Sequence, residues 1–198
     1  MRPAAAPNDL VVRRIRESAA VAEAMAADEV FQQTLREAAN TIVQALRQGK
    51  KVLFFGNGGS AADAQHLAAE LAGRYRRERQ GLPGFALTTN ISTLTAIGND
   101  YDYSQVFARQ IEALGTAGDV AVAISTSGLS DNVLRAVESA RERRLKTMAL
   151  TGKRGGKLRK LVDLCLSVPS EDTARIQEAY MLAGHILCEI AEEELFGN

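Results

Sequence analysis

Two histidines, His66 and His185, are the residues of this sequence best suited to metal binding or proton transfer, and both lie in segments with helical apolar spacing. Glu70 follows His66 by one helical turn, so the two side chains share a face and could share a metal ion or a proton. Gln177 and His185 share a broad face of a second predicted helix. If the two faces meet, two imidazoles, a carboxylate and an amide oxygen converge, a set that suits Zn²⁺ or a similar divalent ion. A histidine on an apolar helix is more often a packed core residue, so the spacing alone leaves both interpretations open.

The segment before His66 has the pattern of a ligand-binding turn. Residues 54–60 (FFGNGGS) pass from an apolar strand through glycines into an alanine-rich helix opened by Ser60, and glycines let a backbone approach a ligand closely. A nucleoside triphosphate loop would need a lysine after its last glycine, and this sequence has none there. The glycine spacing of a dinucleotide site is met, but the next strand ends in Leu87-Thr88-Thr89-Asn90, without the carboxylate that would bind a ribose. The residues therefore favour a sugar-phosphate cradle.

A second polar loop precedes another predicted helix and contains the hydroxyls of Ser125, Thr126, Ser127 and Ser130. Backbone N–H groups and the helix dipole already favour an anion at such a position. One serine is enough to cap a helix, and the four hydroxyls exceed that need. We interpret this loop as a phosphate-binding loop.

The apolar pattern predicts a parallel α/β sheet that positions both loops. We expect strands at 51–55, 83–87, 119–124, 146–150 and 163–168, separated by helices at 60–75, toward 97, at 104–114, 131–143 and 172–195, with a polar loop at 98–100. Ligands of such sheets bind outside the carboxyl ends of the strands, so the loops after the first and third strands should share a rim. Helices at 9–27 and 29–48 form an additional N-terminal pair, which indicates an oligomer. Residues 1–8 are expected to be disordered and 9–198 to form one domain.

Composition narrows the class of protein. Among 198 residues, Lys+Arg and Asp+Glu both number 24, so a basic nucleic-acid-binding surface is not expected, and the cluster Arg74, Arg76, Arg77 and Arg79 is assigned to a solvated helix end. Cys165 and Cys188 lie in apolar surroundings without a disulfide-type spacing, which indicates reduced thiols. No apolar run approaches the length of a membrane span, about 20 residues, and no secretory signal is visible. We expect a cytoplasmic protein with neither nucleic-acid nor membrane partners.

Taken together, these motifs resemble the SIS (sugar isomerase) domain, and most closely the phosphoheptose isomerase family. The resemblance covers residues from about 35 to 195. The residues that carry it are Gly56-Asn57-Gly58-Gly59-Ser60 with His66 and Glu70, Gly98-Asn99-Asp100, Ser125-Thr126-Ser127-Gly128, Thr151-Gly152, and Arg175-Ile176-Gln177-Glu178 with His185. Leu129 departs from the pattern, because relatives often have a polar residue there; we expect this to affect affinity more than the reaction.

The resemblance implies a flavodoxin-like fold, a homotetramer and a reaction. The implied zinc ligands, for one Zn²⁺ per subunit, are His66, Glu70, Gln177 and His185. The implied contacts to sedoheptulose 7-phosphate are Asn57, Gly58, Gly59, Ser60, Glu70, Asn99, Asp100, Ser125, Thr126, Ser127, Ser130 and Gln177. Glu70 would be the base that forms a cis-enediolate and His185 its acid/base partner, giving D-glycero-D-manno-heptose 7-phosphate for the synthesis of ADP- or GDP-heptose precursors.

The alternative is a non-catalytic SIS tetramer that binds the DnaA replication initiator. That class resembles this chain in its loops and in the Arg-Ile-Gln-Glu run. It is expected to lack the glutamate and the second histidine, whereas Glu70 and His185 are both present here. The sequence therefore favours the enzyme, and a sugar-phosphate sensor without turnover is a further alternative.

Overall fold

Five parallel strands form the centre of the computed structural model, which describes residues 9–197. They are β1 (Val52–Gly56), β2 (Gly84–Ala86), β3 (Val120–Ser125), β4 (Lys146–Thr151) and β5 (Leu164–Ser167). The order in the sheet is β2-β1-β3-β4-β5, and each neighbouring pair is parallel. The predicted flavodoxin-like α/β sheet is confirmed.

The strands are apolar throughout because both faces of the sheet are covered. Successive side chains of a strand point to opposite faces. Val52 and Phe54 belong to the core beneath the helices at residues 29–47, 59–72 and 173–196, whereas Leu53 and Phe55 belong to the core beneath the helices at 108–114 and 131–142. Every residue of β1 and β3 is buried, which explains why these strands read as continuous apolar runs.

The helices that cover the sheet follow the predicted order. They are α1 (Leu10–Ala27), α2 (Glu29–Arg47), α3 (Gly59–Ala72), α4 (Ile91–Asp100), α5 (Ala108–Leu114), α6 (Asp131–Glu142), α7 (Leu158–Leu161) and α8 (Thr173–Phe196), with a 3₁₀ turn at Tyr103–Gln105. None of the helices within residues 9–197 is long and apolar enough to cross a membrane.

The predicted N-terminal helical pair is present as α1 and α2. Asp28 separates them and begins α2, since its Oδ1 accepts the N–H of Phe31 at 3.0 Å. The apolar side of α1 is only partly covered: Leu10, Val11 and Ile15 are more than half exposed. The predicted disorder of residues 1–8 lies outside the described residues.

The chain differs from the sequence prediction between β2 and β3. Gly98-Asn99-Asp100 is not a loop but the last turn of α4, because the N–H of Tyr101 donates to the carbonyl of Ile97 at 3.1 Å and closes that turn. The single helix predicted at 104–114 is a 3₁₀ turn followed by α5. Helix α7, between β4 and β5, was not predicted.

The arginine cluster is also different from the prediction. Helix α3 ends at Ala72, so residues 74–79 form a separate segment rather than a helix end. Arg79 is not solvated, because its side chain is only 1% exposed.

Candidate active site

The turn after β1 lies at the carboxyl edge of the sheet and starts α3. Gly58 is the N-cap and has a φ of +57°, which a glycine adopts without steric cost, so the helix begins at Gly59 rather than at the predicted Ser60. A Cβ built on Gly59 would lie 2.2 Å from Nε2 of Gln177 on α8. A glycine at position 59 therefore allows Gln177 to reach the start of α3.

The two histidines meet across the interface between α3 and α8. Nε2 of His66 lies 2.9 Å from Nε2 of His185, and the rings are edge-on with centroids 5.1 Å apart. Oε1 of Glu70 lies 3.2 Å from the same nitrogen of His66. One donor atom from each of these residues lies within 4.8 Å of the other two. The interpretation of the histidines as isolated core residues is therefore wrong.

This geometry fits a divalent metal ion. Donor atoms of a tetrahedral zinc site, at about 2.0–2.2 Å from the ion, lie roughly 3.3–3.6 Å from one another. The separations of 2.9 and 3.2 Å are slightly shorter, so a small movement of the side chains would place them around one ion. The side chain of His66 is 49% exposed and that of Glu70 is 20% exposed, so the cluster is accessible from solvent.

The loop after β3 is folded around its own hydroxyls. Oγ of Ser125 accepts the N–H of Gly128 at 3.2 Å and lies 3.4 Å from Oγ of Ser130. Oγ of Ser127 accepts the N–H of Leu129 at 3.2 Å. Although Ser130 is the N-cap of α6, its side chain makes no capping hydrogen bond. Its hydroxyl is thus turned toward Ser125 and not toward the helix, as expected of a ligand-binding group rather than a cap.

A cleft of about 400 Å³ connects this loop with the start of α8. Its walls include Thr126 and Ser127 from the loop, Lys153 and Arg154 from the loop after β4, and Ile176 next to Gln177. The two cations make the cleft suited to an anionic ligand, although Arg154 is paired with Glu171 at 2.6 Å.

A buried polar network lies where α3 begins beside α8. Oγ of Ser60 and the hydroxyl of Tyr180 are 2.7 Å apart, and both residues are buried. Asp63 lies beside the same hydroxyl; burial raises the pKa of its carboxyl, while Tyr180 and His66 act in the opposite direction. Its Oδ2 is buried without a hydrogen-bond partner among the described residues. Burial also raises the pKa of Tyr180, so its hydroxyl stays protonated.

Comparison with known proteins identifies the family. A profile of the SIS domain matches residues 15–152. A phosphoheptose isomerase from Aneurinibacillus thermoaerophilus is 46% identical over 191 residues, 96% of each chain. Another, from Thermodesulfovibrio yellowstonii, is 55% identical over 162 residues, 82% of this chain and 81% of that protein. The solved structure of a phosphoheptose isomerase from Neisseria gonorrhoeae matches with a TM-score of 0.86 and 45% identity, covering 92% of this chain and 97% of that one.

The chain belongs to the phosphoheptose isomerase family of SIS domains. By this membership it is an aldose–ketose isomerase.

Not every residue assigned to this phosphoheptose isomerase site offers a free side chain. Asn57 exchanges two amide hydrogen bonds with Asn132, at 2.8 and 2.9 Å, and also accepts from the hydroxyl of Tyr103 at 3.3 Å. The hydroxyl of Ser60 is bonded to Tyr180. The side chains of these two residues are thus already hydrogen-bonded within the protein, which leaves their backbone groups for the predicted substrate contact.

Asn99 and Asp100 lie at the carboxyl end of α4, and their side chains bond each other. Both are exposed in the last turn of α4, where Nδ2 of Asn99 donates to Oδ1 of Asp100 at 2.8 Å. Their substrate contact stays a prediction.

Several residues of the site were missed by sequence reasoning. Tyr180 is on α8 three residues after Gln177, and this spacing could have indicated that the two share one side of the helix. Asn132 and Tyr75 give no such signal, since each meets its partner across the fold: Asn57 in one case and the ring of His185, 5.9 Å away, in the other.

Proposed function

We propose that the protein converts sedoheptulose 7-phosphate into D-glycero-D-manno-heptose 7-phosphate through a cis-enediolate, for the synthesis of ADP- or GDP-heptose precursors. The observation that carries this proposal is the convergence of His66, Glu70 and His185 from two facing helices, in a chain about half identical to phosphoheptose isomerases. These relatives give no support to the alternative, binding of the DnaA initiator.

The reaction moves one proton between C1 and C2 and another between their oxygens. Glu70 takes the proton from C1 of the ketose, since a carboxylate accessible from solvent can accept it directly. The electron pair forms the C1–C2 double bond while the π pair of the C2 carbonyl moves to O2, which gives the enediolate. Protonation at C2, with transfer of the O1 proton to O2, then gives the aldose. His185 is the second acid/base group: it carries the proton between O1 and O2, or it protonates C2 from the opposite face.

The two roles of His185 predict different fates of the C1 proton. If Glu70 also protonates C2, part of a deuterium label at C1 returns to C2 of the product. If His185 protonates C2 from the opposite face, no label is transferred. Analysis of the product by mass spectrometry after reaction in ordinary water distinguishes the two.

We propose one Zn²⁺ per subunit, held by His66, Glu70, Gln177 and His185. When bound, the ion would polarise the substrate carbonyl and offset negative charge on the enediolate oxygens. The spacing of the His66, Glu70 and His185 donors supports this assignment. Gln177 would add an amide oxygen, and its side chain reaches the start of α3.

The phosphate of the substrate is assigned to the loop after β3. Ser125, Thr126, Ser127 and Ser130 offer hydroxyls at the N-terminus of α6, whose dipole favours an anion. Gly58, Gly59, Ser60 and Asn57 would contact the sugar through their backbone, while Asn99 and Asp100 are assigned to its hydroxyls.

We also propose a cytoplasmic homotetramer. The support is the exposed apolar side of α1, where Leu10, Val11 and Ile15 remain more than half exposed in the single chain. In light scattering, the wild type should have the mass of four chains at micromolar concentration, and the double variant Val11→Asp, Ile15→Asp should have a smaller mass. A double variant that keeps the wild-type mass would contradict this assignment.

The decisive experiment measures conversion of sedoheptulose 7-phosphate by purified protein supplied with zinc. Glu70→Gln and His185→Ala should each reduce kcat by about 10²–10⁴-fold, the contribution of a positioned acid or base. Glu112→Gln, an exposed glutamate on α5, should leave kcat unchanged. A wild type with full zinc content and no turnover would refute the proposed function.

A further inference from the structure

Arg79 closes the end of the helix that carries His66 and Glu70. Its side chain is 1% exposed. Nη2 donates to the carbonyl of Glu70 at 2.9 Å, and Nη1 donates to those of Leu71 and Gly73 at 2.9 and 3.1 Å. Carbonyls in the last turn of a helix have no partner within the helix, so one buried guanidinium replaces the partners that α3 lacks.

Glu192 holds this arginine from the helix that carries His185. It lies two turns further along α8, and its side chain is 2% exposed. Its Oε2 accepts from Nε of Arg79 at 2.9 Å and from the N–H of Tyr75 at 3.0 Å, while Oε1 accepts the N–H groups of Arg76 and Arg77, both at 2.7 Å. Burial raises the pKa of this carboxyl, but the four donors outweigh burial and hold the pKa below its usual range. Glu192 is thus a fully bonded carboxylate.

The segment that Glu192 holds also touches the active site. The ring of Tyr75 stacks on that of His185, with centroids 5.9 Å apart and planes 28° apart. Because the N–H of Tyr75 is bonded to Glu192, the carboxylate fixes the backbone from which this ring projects. One ion pair therefore contacts both sides of the catalytic cluster, through the backbone of Glu70 and through the neighbour of His185.

We propose that Arg79 and Glu192 are positioning residues of the active site, which set the distance between Glu70 and His185 and seat Tyr75 against the His185 ring. This inference rests on the proposed function, since it assigns the pair to the isomerase reaction. The same contacts also stabilise the end of α3, so a purely structural role is the alternative that the experiments must exclude.

The first test compares kcat, KM and zinc affinity in Glu192→Gln and the wild type. The amide keeps the size of the side chain but loses its charge and one acceptor. We expect kcat and zinc affinity, measured by competition with a chromophoric chelator, to fall about 10–100-fold, as for other groups that orient metal ligands. KM should change less than kcat, because the loop proposed to bind the phosphate lies between β3 and α6, away from Arg79 and Glu192. Glu193→Gln is the matched control: it alters the neighbouring exposed pair with Arg77 and should leave these values unchanged.

The second test separates positioning from stability. The double variant Arg79→Met, Glu192→Leu replaces the ion pair with apolar side chains and should recover thermal stability relative to Glu192→Gln. We expect kcat and zinc affinity to stay low in spite of this. Recovery of kcat and zinc affinity together with stability would show a structural role only and would overturn the inference.

The third test does not depend on the buried pair. Tyr75 is partly exposed, so its variants should fold even if those of Glu192 do not. Tyr75→Leu removes the ring beside His185 and should lower kcat and zinc affinity several-fold, whereas Tyr75→Phe keeps the ring and should retain both. Equal values for the two variants would overturn the inference.

The outcomes for the two proposals are distinguishable. A wild type that binds zinc without turnover refutes the proposed function alone, and zinc affinity then decides the inference. A wild type with turnover, and with variants of unchanged kcat and zinc affinity, refutes the inference alone. A wild type with neither turnover nor zinc binding overturns both.

Discussion

The buried contact between Ser60 and Tyr180 should stabilise the fold by an amount that can be measured directly. Tyr180→Phe removes the hydroxyl that lies 2.7 Å from Oγ of Ser60. Ser60 is 5% exposed and has little access to water, so its hydroxyl would be left without that partner. An unsatisfied buried group costs about 1–3 kcal/mol, and we expect the free energy of unfolding to fall by about 2 kcal/mol. For a chain of this size that corresponds to a decrease in Tm of roughly 4–8 °C.

Ser60→Ala should lower the free energy of unfolding less than Tyr180→Phe does. Ser60→Ala removes the serine hydroxyl, but the hydroxyl of Tyr180 still has Asp63 and Gln177 beside it. We expect a loss of about 1 kcal/mol, the usual net value of one hydrogen bond. The double variant has no unpaired serine hydroxyl. Its free energy of unfolding should therefore fall by about 2 kcal/mol, rather than by about 3 kcal/mol, the sum of the two single changes. The difference is a coupling energy of about 1 kcal/mol.

Unfolding in urea, at one protein concentration and in metal-free buffer, measures the four free energies of this cycle. The reasoning would be refuted if the losses in free energy of unfolding of the two single variants summed to that of the double variant within about 0.3 kcal/mol. The two hydroxyls would then be independent. Tyr101→Phe is a matched control: it removes an exposed hydroxyl, which lies 3.3 Å from Arg109, and should change stability by less than about 0.5 kcal/mol.

Two further changes have defined outcomes. Gly128→Ala should raise KM for the sugar phosphate at least about tenfold in steady-state kinetics. The reason is that φ is +64° at this position and an added Cβ would lie 2.1 Å from the carbonyl of Gly155. An unchanged KM would show that the loop after β3 does not bind the substrate. Asp119→Asn should lower the free energy of unfolding by about 3 kcal/mol at pH 7, since the carboxylate is 2.7 Å from Nζ of Lys51 and 1% exposed. Burial raises the pKa of Asp119, but bonds from Lys51 and Thr116 outweigh this and lower it, so its contribution is present above the unfolded pKa of about 3.9 and is lost as pH falls through the lower folded value. The difference between wild type and variant in urea unfolding should therefore narrow below about pH 4, and a constant difference would contradict this assignment.

The parts of the fold that depend on local pattern were predictable from the sequence. Apolar runs such as 119–124 could be assigned to buried strands because a covered parallel sheet is apolar on both faces. The last turn of α4 could not be predicted in this way. Gly98, Asn99 and Asp100 have the composition of a loop, and only the hydrogen bond from Tyr101 to Ile97 makes them helical.

The candidate site was predictable where its members repeat at helical spacing and not where they meet across the fold. His66 and Glu70 lie one turn apart, and Gln177 and His185 lie two turns apart, so the sequence relates the members of each pair. No spacing relates Arg79 to Glu192, which the chain separates by 113 residues. The assignment of Arg79 to solvent was wrong because one buried acceptor on α8 outweighs the usual preference of arginine for the surface.

The crowding around Gly59 limits how an altered specificity could arise. A side chain at position 59 would displace the amide of Gln177, a proposed zinc ligand. Gly152 is confined by backbone as well, with Ile176 and the carbonyl of Thr126 within 3 Å of an added Cβ. Laboratory evolution for other phosphorylated sugars would thus find little tolerated variation in these two turns. Substitutions should be tolerated at Leu129 and Arg154, which are exposed on the rim of the cleft. Variants with changes at these two positions should remain folded.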